Sequence, residues 1–184
     1  MWVLFLIILI LFLFLVLYVI YIFFHDEWKM RKSAPYVWSY ISHKKLLKQH
    51  RHKIHWKYIL DMGCGDGGIL RFFVRKMAFH RADWYDIRIF PIRLGKILNR
   101  LFWYKEITLY QQDFFNADIT KYDTIYLFLW SSVITDIEKR IHDRIRPGAV
   151  VITNTFHFNN REPYDTIKNS KGKVVFQLYR KNEQ

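Results

Sequence analysis

The sequence predicts an α/β fold, a parallel sheet covered by helices on both faces and carried behind one N-terminal transmembrane helix. Three observations lead there. From Tyr58 onward, short apolar runs alternate with helix-length amphipathic stretches, the pattern of strands joined by helical crossovers. The first run ends in an acid and opens into a glycine-rich turn, YILDMGCGDGG over Tyr58–Gly68, which is how a Rossmann-like sheet begins. Ahead of it, Trp2–Phe24 is a 23-residue stretch without a charge, Gly or Pro, and a bilayer core needs about 20 such residues.

The 184 residues divide accordingly into an anchor at 1–24, a basic juxtamembrane segment with a leading helix at 25–57, and the α/β domain at 58–184. The apolar stretch exceeds the roughly 7–15-residue core of a signal peptide, with no basic stretch before it and no A-x-A site after it, so a retained anchor is expected. Being apolar on every side, it does not read as a core helix of so small a domain. Only Met1 precedes it, while Lys29, Arg31, Lys32, Lys44 and further cations follow. The positive-inside rule then puts the domain on the cytoplasmic side of a single-pass chain. The lone Cys64 excludes an internal disulfide framework and fits a reducing compartment. The net charge of +13 calls for an acidic partner. Because the cations start right after the apolar stretch, lipids of the anionic inner leaflet are favoured over nucleic acid.

Along the chain, His25–Lys32 is a polar collar with Trp28 at headgroup level, and Ser33–Tyr36, containing Pro35, is a short linker. Val37–His55 carries Val37, Tyr40, Ile41, Leu46 and Leu47 among many cations, and is expected to be a helix with its basic face toward lipid. His50, His52 and His55 have no Cys or carboxylate beside them, so they read as basic surface and no metal site is expected. Strand 58–62 leads through the turn into a helix at Ile69–Met77 and a strand near Ala82–Ile87. Pro91 suits the first turn of a helix running to Phe102. Strands follow at Ile107–Gln112 and Thr124–Trp130, where Tyr126, Phe128 and Trp130 read as sheet core rather than an acceptor cage. A helix from Ser131 to Ile145 closes before Pro147-Gly148, and strands at Ala149–Thr155 and Lys173–Tyr179 complete the run.

In open α/β sheets the ligand sits beyond the carboxyl ends of the strands. Gly63, Gly65 and Gly67 lie there, and glycine lets the backbone adopt positive φ and approach a ligand closely. Gly63-x-Gly65-x-x-Gly68 with Asp86 downstream also satisfies the dinucleotide fingerprint. Charge separates the two readings. Asp61 and Asp66 would oppose a pyrophosphate by about 2–3 kcal/mol each at ~6 Å and an effective dielectric near 20. S-adenosylmethionine carries an ammonium and a sulfonium and no phosphate, so the same carboxylates attract it. No Lys-Ser/Thr pair follows the glycines, which excludes a phosphate-binding Walker loop. Two further acids end strands on the same rim. Asp86 can accept both ribose hydroxyls, and Asp113 can accept the adenine amino group with Phe114 beside the ring.

With these motifs the chain resembles class I S-adenosylmethionine-dependent methyltransferases over residues 34–184. Within them it is similar to the membrane-anchored protein-lysine methyltransferases of the ATP synthase c-subunit and adenine nucleotide translocase. APYV (Ala34–Val37), LDMGCGDGG (Leu60–Gly68), WYDI (Trp84–Ile87), QDFF (Gln112–Phe115), ADITKYDTIYLF (Ala117–Phe128) and RPGAVVITNTF (Arg146–Phe156) carry the resemblance. It implies a seven-stranded, mostly parallel sheet with its last strand antiparallel, and a sixth strand around Tyr164–Ile167. It also implies a cofactor site of Tyr36, Asp61, Gly63, Cys64, Gly65, Asp86, Ile87, Asp113 and Phe114, with Tyr36 closing over the donor. Trp38 stands where a proline is common, and Gly68 where an arginine is frequent.

The expected activity is N-methylation of a protein lysine near the membrane. No general base is evident, and His157 reads as a surface or hydrogen-bonded histidine. LWSS (Leu129–Ser132) follows strand four in place of the Asn/Asp-Pro-Pro-Tyr signature of adenine or glutamine methylation. The alternatives are a lipid or small-molecule methyltransferase, a non-catalytic membrane-surface module, and an NAD(P)-binding oxidoreductase.

Overall fold

The computed structural model describes residues 1–29, 41–54, 57–63 and 67–181. Its elements are α1 (Trp2–Lys29), α2 (Ile41–Gln49), β1 (Tyr58–Met62), α3 (Gly68–Met77), β2 (Arg81–Asp86), α4 (Ile89–Leu101), β3 (Ile107–Gln111), β4 (Thr124–Leu127), α5 (Ser131–Ile141), β5 (Val150–Asn154), β6 (Asp165–Lys168) and β7 (Val174–Arg180). The seven strands form one sheet in the order β3-β2-β1-β4-β5-β7-β6. β1 to β5 pair in parallel, while β7 runs antiparallel to both β5 and β6.

Side chains alternate across the sheet with the period of two that strands impose. Ile59, Trp84, Tyr126 and Ile152 point to one face, against Leu47 of α2, Phe73 of α3 and Ile92 of α4. Leu60, Met62, Ile125 and Val151 point to the other, against Ile134, Ile137 and Ile141 of α5. Each helix buries the stripe its spacing dictates, such as Ile69, Phe73 and Met77 on α3. Three helices therefore cover one face and one covers the other.

Three of the buried acids join parts of the scaffold. Asp83 is fully buried and accepts a hydrogen bond from the Tyr122 hydroxyl at 2.7 Å, with Arg81 Nε at 3.3 Å and Lys121 Nζ at 3.5 Å. Burial, reinforced by that carboxylate, pushes the Tyr122 phenol far above its ordinary range. Asp123 accepts from the Tyr58 N–H at 2.9 Å and pairs with Arg146. Glu138 accepts from the Asn159 and Asn160 N–H groups at 3.1 and 2.9 Å. The segment before β1 is docked on the domain by Lys44 Nζ on the Gly68 carbonyl of α3 at 3.3 Å and by the ion pair of Lys53 with Asp165 of β6 at 2.6 Å.

Three expectations change. The helix expected over Val37–His55 is described only from Ile41 to Gln49, followed by a 3-10 turn at Arg51–Lys53. Its cationic run has no carboxylate to pair with along the helix; residues 37–40 and His55 lie outside the described residues. α5 gives way at Ile141 to a 3-10 turn, His142–Arg144. β4 stops at Leu127, and Trp130 is 41% exposed rather than core. An apolar run alone does not mark where a chain leaves its sheet.

α1 is apolar on all sides over Trp2–Ile22, which has a mean hydropathy of 3.6 with none of it buried. By length and composition it is a candidate membrane span. It touches the domain at α4, where Arg93 Nη1 donates to the Tyr18 hydroxyl at 3.0 Å.

Candidate cofactor site

The crossovers after β1 and β4 leave for opposite faces, so these adjacent strands part at their carboxyl ends and open a crevice. Asp61 is fully buried next to it, on the α3 face, with Trp84 of β2 and Tyr126 of β4 as its register neighbours. Gly63 follows with φ +83, and its N–H donates to the Tyr85 carbonyl at 3.0 Å. A Cβ there would stand 2.8 Å from Leu129 Cδ2 and 3.9 Å from Phe114 Cε1. Only glycine meets both the backbone angle and the space. Gly67, at φ +76, sits over the Trp84 ring, which a Cβ would approach to 3.2 Å. The Trp84 Nε1 is buried and finds no hydrogen-bond partner among the described residues. Cys64, Gly65 and Tyr36, expected at this site, lie outside the described residues.

On the next strand, Asp86 is 4% exposed and held by Arg88. Its Oδ1 accepts from the Arg88 N–H at 2.9 Å and from Nε at 3.0 Å, and its Oδ2 accepts from Nη2 at 2.7 Å. A carboxylate has roughly four acceptor positions, so one further donor can join while Arg88 stays. Two ribose hydroxyls on Asp86, as the sequence led us to expect, require Arg88 to yield. Ile87 beside it is 51% exposed, an apolar side chain open to the rim.

Beyond β3, Asp113 caps the 3-10 turn Phe114–Asn116, its Oδ1 accepting from the Phe115 N–H at 2.9 Å. Its residue is exposed, and Oδ2 remains for a ligand. Its neighbour Phe114 faces the Gly63 turn, where a Cβ would come within van der Waals distance of the ring. Arg144, past the end of α5, braces this turn by donating to the Phe115 and Ala117 carbonyls at 2.9 and 2.8 Å, and Arg140 lies 3.7 Å over the Phe115 ring. Neither arginine is signalled by its sequence spacing, because both reach from a different crossover.

Past β4 and β5, Trp130 and Phe156 stack with ring centroids 5.3 Å apart. Asn154, fully buried, donates to the Tyr126 hydroxyl at 2.7 Å. Burial lowers the pKa of His43, against an opposing hydrogen bond with Asn154. His157 is also lowered by burial, and its Nδ1 lies 2.7 Å from Thr153 Oγ1. It is a hydrogen-bonded histidine, as expected. Among the described residues no group of three His, Cys, Asp or Glu converges as a metal-ligand set.

A buried acid and a positive-φ glycine with no room for a Cβ stand at the strand divergence, two further acids follow β2 and β3 along the same rim, and residues 61–165 match the family model of the ANTKMT methyltransferase domain. The chain belongs to that family. It is a class I S-adenosylmethionine-dependent methyltransferase, and S-adenosylmethionine is its cofactor. No curated protein is similar enough to match it. The fold is similar to an RNA methyltransferase from Salinibacter ruber crystallised with S-adenosyl-L-homocysteine (TM-score 0.68, 20% identity, 80% of this chain and 95% of that one). It is also similar to a SAM-dependent O-methyltransferase from Thermotoga maritima (TM-score 0.53, 14% identity, 65% and 45%). At these identities the likeness is one of fold. The rim fits the family's cofactor: the cradle at Gly63 is bare of side chain, and the acids around it match a cationic methionine group.

Proposed function

We propose that this methyltransferase is anchored in a membrane by α1 and N-methylates a lysine of a protein at that membrane. The observation that carries the reading is the union of a fully apolar, unburied helix with a methyltransferase domain of the ANTKMT family in one chain. Tethering raises the effective concentration of an acceptor in the same bilayer. The cations following the span support a cytoplasmic domain.

In this reading Asp61 and the Gly63–Gly65 turn receive the methionine end of the donor. Asp86 takes a ribose hydroxyl, Asp113 the adenine amino group, and Ile87 and Phe114 flank the ring; Tyr36 and Cys64 complete the enclosure. The donor supplies an electrophilic methyl on a good leaving group. The protein's work is therefore alignment and exclusion of water. Asp61 is already desolvated, so its attraction to an ammonium is little screened. The acceptor amine has to be neutral to attack. α2, α3 and α4 carry no Asp or Glu, and a cationic neighbourhood favours the neutral amine. The proton leaves to solvent or to a group on the acceptor.

The test is incubation of membranes with enzyme and radiolabelled methyl donor, comparing wild type with Asp61→Ala. Label in a protein band, recovered as methyllysine and dependent on Asp61, is expected. Label extracted wholly with lipid overturns the lysine reading and makes the enzyme a lipid methyltransferase.

A further inference from the structure

We propose that the outer face of α4, with the Phe102–Trp103 turn after it, is a second bilayer contact that seats the domain on an anionic lipid surface. α4 buries Pro91, Ile92, Gly95 and Asn99 against the sheet. An ordinary surface helix is polar on its remaining side. Here that side carries a second apolar pair one turn apart, Ile97 at 62% and Leu101 at 64% exposure, continued by Phe102 at 49% and Trp103 at 79%. Arg93, Lys96, Arg100 and Lys105 are interleaved with them and exposed. Aliphatic and aromatic groups flanked by lysine and arginine are what a membrane interface accommodates, with rings at headgroup depth and cations on lipid phosphates.

The patch is held in shape. Arg75 Nη2 donates to the Phe102 carbonyl at 2.9 Å, its guanidinium lies 4.3 Å over the Tyr104 ring, and the Tyr104 N–H donates to the Asn99 carbonyl at 2.9 Å. Trp103 is presented at φ +57, in the left-handed region where a bulky side chain is uncommon.

What covers this face follows from the anchor. Arg93 is bonded to Tyr18, four residues before the candidate span ends at Ile22. At 1.5 Å per residue that is about 6 Å along the helix, so Arg93 sits at the depth where the span meets headgroups. Ile97 and Leu101 continue along the same helix, and Trp103 follows in the turn after it. This rests on α1 being a span. RNA also binds cations and stacks on tryptophan, but it has no use for two aliphatic side chains open to solvent. The patch is at the far end of α4 from Asp86 and the cofactor rim, so it orients the site without covering it.

The test uses the full chain in vesicles with brominated acyl chains, comparing wild type with Trp103→Phe so that the difference isolates one indole. The Trp103 component is expected to be quenched in phosphatidylserine-containing vesicles, and Lys96→Glu with Arg100→Glu is expected to lose most of that quenching. A Trp103 component left unquenched while the remaining tryptophans are quenched, with the chain resistant to alkaline carbonate, overturns the inference and leaves the anchor standing. Extraction by carbonate overturns both. Shielding of Trp103 from acrylamide by single-stranded RNA, without quenching by the vesicles, makes the face a nucleic-acid surface and overturns the inference.

Discussion

Arg88 grips both carboxylate oxygens of Asp86, through Nε at 3.0 Å and Nη2 at 2.7 Å, with both residues under 10% exposed. The pair is shut off from solvent, so removing the cation strands a buried charge. Arg88→Met is expected to destabilise the free protein by about 3–5 kcal/mol. Donor hydroxyls become the replacement partners, so the rise in Tm caused by S-adenosyl-L-homocysteine should be larger in the variant than in wild type. Thermal unfolding with and without the nucleoside checks this. An unchanged Tm in the free variant means the pair has no structural weight.

Gly63 answers to two constraints, and they can be separated. Gly63→Ala adds a backbone cost of about 1–2 kcal/mol for its φ of +83 and a clash at 2.8 Å with Leu129 Cδ2. Leu129→Ala in the same chain removes the clash and not the angle. Unfolding midpoints over the double-mutant cycle should therefore show partial rescue. Full rescue says the backbone angle costs nothing; no rescue says Leu129 already gives way.

Arg144 acts on the adenine side without touching a ligand. Arg144→Met deletes two hydrogen bonds to the carbonyls of Phe115 and Ala117, worth about 1 kcal/mol each. Donor affinity measured by calorimetry should fall by roughly tenfold or less, since part of that cost is carried by the free protein. A loss of several orders of magnitude would mean that Arg144 meets the donor directly.

Burial depresses the pKa of His43 and His157 below the ordinary 6.5. As pH falls through 6.5, the unfolded chain takes up protons that the folded protein accepts only lower down. Stability is therefore complete above about 6.5 and declines as the pH drops below it. His43→Gln with His157→Gln should flatten that decline in urea midpoints measured from pH 7 downward. A decline of unchanged slope assigns it to the carboxylates.

The first half of the fold was readable because strand 58–62, its glycine turn and the acid at 86 are contiguous signals of period, turn chemistry and charge. Asp165–Lys168 was faint for a physical reason: only Ile167 of its four residues is buried, so alternation had little to register. At the site, Asp61 and Asp66 are legible as charges in the turn, whereas two guanidiniums reach the rim from positions that no spacing signals. Arg88 lies on Asp86, and Arg71 Nη1 would stand 3.6 Å from a Cβ on Gly67. With those cations on the rim, charge alone does not exclude a phosphate, and the family match decides the cofactor. Trp130 misled in the opposite sense, since its run of apolar neighbours hid the point where the chain turns out toward Phe156.

Asp83, Asp123 and Glu138 are buried like Asp61, and each joins one part of the scaffold to another. A screen that replaces every acid and scores turnover would return all four as essential. Only Asp61 should then lose methyl transfer while still melting as a cooperative unit, and the other three inactive variants would be reporting collapse rather than chemistry.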